Sequence, residues 1–134
     1  MKTPLCNTKG ERRLKPVSNV IFFPCRNMQK TKKYYTEILE LPVYKDLGHT
    51  VWFDSGYGYL AFVEYDPPRE MASGACISFN MDSEAAVDAV YEKLLTRETI
   101  GLKGAPQKHP KFPVYSFFLS DPNGYLLEYQ KTLD

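Results

Sequence analysis

A chain of 134 residues holds one domain, or two small repeats sharing a core, and is too short for two independent domains. Its hydrophobic fraction of 43% and charged fraction of 25% are ordinary for a globular protein. A formal net charge of +1 leaves no face-wide basic excess, so there is no electrostatic case for a nucleic-acid partner. The unusual feature is ten Tyr and eight Phe. Much of that is core material, but Tyr has a polar tip that suits pockets and interfaces. Cys6, Cys25 and Cys76 are odd in number and have no paired spacing, which argues for reduced thiols rather than a secreted disulfide framework. Met1–Cys6 has no apolar run suited to a signal peptide, and no stretch approaches membrane-spanning length. The expectation is a cytoplasmic protein with no membrane partner.

Residues 1–16 read as a flexible basic arm carrying Lys2, Lys9, Arg12, Arg13 and Lys15, closed by Pro16. Val20-Ile21-Phe22-Phe23 is a buried strand ended by Pro24. Asn27 then caps a helix whose inner face is Met28, Thr31, Tyr35, Ile38 and Leu39, with Gln29, Lys30, Lys33, Glu37 and Glu40 outward. Three short strands follow Leu41-Pro42, over Val43–Lys45, Val51–Asp54 and Tyr59–Tyr65, and Asp66-Pro67-Pro68-Arg69 breaks the pattern. The order then restarts. Cys76–Phe79 is a strand and Asp82-Ser83-Glu84 supplies a helix cap. Val87, Val90, Tyr91, Leu94 and Leu95 form an apolar helical stripe. A weak strand signal near Leu102–Gln107 precedes strands Val114–Leu119 and Tyr125–Gln130, the last two joined by the turn sequence Asp121-Pro122-Asn123-Gly124.

The chain therefore reads as strand-helix-strands twice, one unit over about 17–66 and one over about 74–131, in a single domain spanning 17–131. Neither half has enough core to stand alone, so the two share a buried face. The fold class is α+β, built from two βαβββ repeats.

Two βαβββ units ending in Asp121-Pro122-Asn123-Gly124-Tyr125-Leu126-Leu127-Glu128-Tyr129 resemble the vicinal oxygen chelate superfamily of glyoxalase I, bleomycin-resistance proteins and extradiol dioxygenases. The segment Asn27–Leu41 is similar to that family's first helix, with Glu40 where Gly is usual. The likeness implies a curved sheet around a pocket, commonly completed by homodimerisation. In metal-dependent relatives four strand positions supply His and Glu to a divalent ion that chelates adjacent oxygens of the substrate. By that likeness the last position falls on Glu128, and Cys76 stands where the second half usually offers His. The last strand of the first half offers Phe62 if the two Gly-Tyr-Leu starts are aligned, or Glu64 if Glu64-Tyr65 is matched to Glu128-Tyr129. The first strand offers Asn19 or Val20. No His occupies a ligand position. A thiol with a carboxylate is a poor ligand set, because catalytic metal sites normally keep three protein ligands. The metal set, if one forms, is Glu128, Cys76 and Glu64, with Zn, Ni, Mn or Fe as the candidate ions, and the favoured expectation is no cofactor.

An inward Glu128 must find a partner, bind a cation or take up a proton, whereas an outward one is simply a solvated rim residue; the pocket role is favoured. Cys76 reads better as a small buried hydrophobe than as a pocket thiol. His49 and His109 read as turn and loop residues, His109 being the nearer to function because its loop leads into Val114–Leu119. Phe22, Trp52, Tyr59, Phe62, Tyr115, Phe117 and Phe118 include both faces of their strands, so alternation sends some to the core and some to a concave side. The expected ligand-binding set is Phe62, Cys76, Tyr115, Phe117 and Glu128. The function read from this is a protein that binds a small organic molecule in an aromatic cleft without a His-ligated metal. The alternative is a metal-dependent enzyme of the lactoylglutathione-lyase, isomerase or dioxygenase type, using Glu128 as catalytic residue.

Overall fold

The computed structural model describes residues 8–10 and 14–134, so most of the expected basic arm lies outside the described residues. Strand β1 (Val20–Pro24) leads to helix α1 (Met28–Lys33), where the Asn27 side chain accepts the Lys30 N–H at 3.0 Å as an N-cap. The helix then widens into a π-helical turn, Tyr34–Ile38. Both Tyr34 and Tyr35 point inward from this turn, with Tyr35 at 0% exposure. The exit passes through Glu40 at φ 57°, left-handed backbone that Glycine adopts freely and Glu does not. Glu40 is held there by ion pairs to Lys93 and to Arg97, the latter at 2.8 Å.

Strands β2 (Val43–Asp46), β3 (Thr50–Asp54) and β4 (Tyr59–Val63) complete the first half. The second half repeats the order with β5 (Cys76–Asn80), α2 (Glu84–Thr96, capped by Ser83), β6 (Gln107–Lys108), β7 (Val114–Ser120) and β8 (Leu126–Thr132). The weak signal near Leu102–Gln107 becomes one bridge, Leu102 to Leu119, and the two-residue β6. The sheets have strand orders β1-β4-β3-β2 and β5-β8-β7-β6. In each, the first strand of the half runs parallel to the last, and the remaining pairs are antiparallel. This is the α+β fold of two βαβββ units.

Alternation gives each sheet two faces. The helix-packed face of the first sheet carries Phe23, Val51, Phe53, Leu60 and Phe62, and Tyr35 lies on it with ring centroids 5.3 Å from Phe53 and 4.6 Å from Phe62. In the second sheet Phe79, Phe117, Leu119, Leu127 and Tyr129 do the same under α2, with Tyr91 on Phe117. The halves share one core: Tyr125, in the turn before β8, packs its ring 5.3 Å from Phe23, and its hydroxyl donates to the Pro24 carbonyl. Asp121 accepts the Tyr35 hydroxyl at 2.7 Å, and Arg97 donates to the Ile38 carbonyl at 2.7 Å. Burial, followed by the charge of Asp121, pushes the Tyr34 and Tyr35 phenols well above their ordinary range. Among the described residues no helix is long and apolar enough to cross a membrane.

Candidate functional site

The faces turned away from the helices hold the candidate site. On the second sheet, register places Glu128 beside Ser78 of β5 and Phe118 of β7, on the side opposite Tyr129 and Leu127. Glu128 is 7% exposed, and its Oε1 accepts the Ser78 hydroxyl at 2.5 Å. Cys76, two residues along β5, has its Sγ 3.7 Å from Ser78 Oγ. Ser116 and Gln130 are on the same face, and Gln130 donates to Asn80 at 2.8 Å. A depression of about 490 Å³ bounded by Gly74, Cys76, Tyr125 and Leu126 opens at one end of this face. At the other, a cavity of about 60 Å³ lies between His109, Gln107, Ser116 and Phe118.

The corresponding face of the first sheet is aromatic. Phe22 meets Trp52 edge-on at 5.5 Å, and Tyr44 stacks against Trp52 at 6.1 Å and Tyr59 at 4.2 Å. Lys45 Nζ sits 4.7 Å from the centre of the Trp52 ring, a cation–π contact. Phe22 is 45% and Tyr44 51% exposed, so the rings are presented rather than hidden.

The sequence candidates thus separate. Glu128, Cys76 and Phe118 share the open face of the second sheet, while Phe22, Trp52 and Tyr59 share that of the first. By register Val20, not Asn19, falls on the open side, since Val20 pairs Tyr59 and alternates with Phe23. Phe62 and Phe117 point the other way, at 0% and 1% exposure inside the helix-packed core. Tyr115 also turns to the helix side, where its hydroxyl donates to Asp88 of α2 at 2.6 Å, a bond that raises its pKa to about 12. Glu64 lies on the helix side of the first sheet, where it accepts the Met28 N–H at 3.3 Å. His49 bonds its neighbour Thr50 in an exposed turn, and His109 Nδ1 accepts the N–H groups of Lys111 and Phe112 within its own loop. Sequence reasoning missed Ser78 and Tyr44. Ser78 was legible as the residue alternating with Cys76 on a strand beside Glu128. Tyr44 was hidden by a register shift in β2 between Val43 and Lys45.

Cys76 is exposed, against the expectation of a packed thiol, because β5 is an edge strand and the face it shares with Ser78 is not covered by a helix. Cys25 is the buried thiol, at 2% exposure. Partial desolvation, then the charge of Glu128, raises the Cys76 pKa, while Ser78 opposes this. Native protein treated with a thiol reagent is expected to label Cys76 fully, but more slowly than a free thiol, and to label Cys25 only after unfolding; mass spectrometry of digests reads both. Rapid labelling of Cys25 in the native state would overturn this placement.

Residues 18–129 match the sequence profile of the Glyoxalase/Bleomycin resistance protein/Dioxygenase superfamily, and the chain belongs to that family. Solved structures with the same fold include a glyoxalase/bleomycin resistance protein/dioxygenase from Nocardioides, at 15% identity and TM-score 0.72, covering 95% of this chain and 89% of that one. A lactoylglutathione lyase from Agrobacterium tumefaciens is similar at 21% identity and TM-score 0.69, covering 89% and 96%. A glyoxalase-related enzyme from Fulvimarina pelagi matches at 16% identity and TM-score 0.69, covering 89% of each chain. No curated protein matches the chain in sequence.

Members of this family often bind divalent metals, but the residues here do not fit one. Glu64 belongs to the helix side of the other sheet, Glu128 is engaged by a hydroxyl, and Cys76 is the one thiol on that face among the described residues. Among the described residues no group of three His, Cys, Asp or Glu could hold an ion.

Proposed function

We propose that this protein binds a small, flat organic molecule against the open faces of its sheets, with exposed aromatic rings as the main contact, and without a His-ligated metal. The observation that carries this reading is the presented cluster of Phe22, Tyr44, Trp52 and Tyr59. A contiguous exposed apolar patch on a soluble domain marks a binding surface, and aromatic lining with a few polar groups is what small-molecule sites share. Exposed faces on both sheets suit cover by a second copy of the chain. Free Cys25 and Cys76 are in keeping with work in a reducing cytoplasm.

Trp52 is the sole tryptophan, so its emission reports directly on this face. Compounds that raise the melting temperature in a screen of small aromatics are expected to quench or shift Trp52 emission, and Phe22→Ala is expected to weaken their binding about tenfold at a stability cost of about 1 kcal/mol. Stabilising compounds that leave Trp52 emission untouched would place the binding site elsewhere.

A further inference from the structure

Glu128 is equipped for a cation, but not for a metal ion. Its Oε1 is occupied by Ser78 at 2.5 Å. Among the described residues its Oε2 has no hydrogen-bond partner. No fully buried polar side-chain atom among the described residues is left unpaired, so Oε2 opens onto the face. A carboxylate at 7% exposure needs its charge answered. No protein cation does so among the described residues: the ion pairs there are Lys32–Asp46, Lys93–Glu40 and Arg97–Glu40. The remaining neighbours suit an organic cation better than an inorganic one. Phe118 is the direct cross-strand partner of Glu128, and such pairs stand about 5 Å apart at Cβ, so a ring and a carboxylate serve one spot. Ser78 Oγ, donating its proton to Glu128, keeps lone pairs free to accept.

We propose, resting on the small-molecule reading above, that the ligand class is an amine: a primary or secondary ammonium on an apolar or aromatic body. The ammonium donates to Glu128 Oε2 and to Ser78 Oγ, and the body lies on Phe118, whose ring adds a cation–π attraction.

The test compares three probes of one shape, 2-phenylethylamine, 2-phenylethanol and phenylacetate, by calorimetry and ligand-observed NMR on the whole protein at neutral pH. The amine is expected to bind about tenfold more tightly than the alcohol, with phenylacetate weakest. Glu128→Gln, in which the amide oxygen still accepts from Ser78, is expected to fold normally and to lose most of the amine's advantage over the alcohol, because the amide carries no charge to answer an ammonium. Equal binding of amine and alcohol to the wild-type protein, a comparison that needs no variant, would defeat the amine assignment and leave the aromatic site standing. No binding of any of the three would defeat both. Near-stoichiometric Zn or Mn after dialysis, lost in Glu128→Gln, would also defeat it, in favour of a metal.

Discussion

Phe62→Ala is expected to destabilise the protein by about 3–5 kcal/mol, enough to unfold much of a marginally stable domain. The Phe62 ring has 0% exposure and lies within 6.3 Å, centroid to centroid, of Tyr35, Phe23, Phe53 and Tyr125. Because Tyr125 comes from the second half, truncation opens a cavity where the halves meet, and the neighbouring rings, held by their own packing and by the Tyr35 and Tyr125 hydroxyl bonds, do not fill it. Phe22 is one residue from Phe23 in β1 but on the opposite face, at 45% exposure, so Phe22→Ala is expected to cost only about 1 kcal/mol. Denaturant midpoints at unchanged slope read the difference. Equal losses would mean that the two faces have been assigned wrongly.

The second large effect is expected at Asp121. Its Oδ1 accepts the N–H groups of Asn123 at 2.8 Å and Tyr125 at 2.9 Å, and its Oδ2 accepts the Tyr35 hydroxyl at 2.7 Å and the Asn123 amide at 3.2 Å. One carboxylate thus shapes the β7–β8 turn and ties it to the π-helical turn of the other half. Asp121→Ala removes all four bonds and strands a buried hydroxyl, at a cost of about 3 kcal/mol, whereas Tyr35→Phe removes one bond and costs about 1 kcal/mol. In Asp121→Ala the second change, Tyr35→Phe, is expected to cost nothing further, because the stranded donor goes with it. Full additivity in that double-mutant cycle would show that the two side chains act independently.

These residues also show how far the sequence could be read. The elements were legible because their signals are local: Asn27 and Ser83 cap helices where a short acceptor side chain precedes an apolar stripe, and Asp121-Pro122-Asn123-Gly124 turns with Gly124 at φ 85°. The repeat, the α+β class and the shared core followed from their order. The side-chain directions at the site did not. Phe62 and Glu64 are an even number of residues apart, so either alignment placed them on the same side, and only the packing of Tyr35 shows that this side is the core. Phe117 and Phe118 are adjacent and equally apolar, so periodicity cannot choose between them; the register with Glu128 chooses Phe118. Cys76 looked like a core residue because burial of a strand end depends on what lies over it, which no local pattern encodes. The π-helical turn was invisible for a related reason: its buried rings are held by distant partners, Tyr35 by Phe53, Phe62 and Asp121 and Tyr34 by the Ser120 carbonyl.

The strand order 1-4-3-2 within each half has a consequence for how the chain comes to be folded. Among the described residues β1 has β4 as its one sheet neighbour and β5 has β8, so each half opens with a strand that waits for its own closing strand. During synthesis the stretch from Cys76 to Asn80 has no ladder to join until Leu126–Thr132 has left the ribosome, and the ladder β7 builds on β8 waits for the same seven residues. Loop closure over such a separation is slow, and an unpaired apolar strand is exposed to wrong partners in the meantime. The first half has all its strands by Val63 and meets this delay early; the second is committed late and all at once, by a strand that carries both Glu128 and the centre of its sheet.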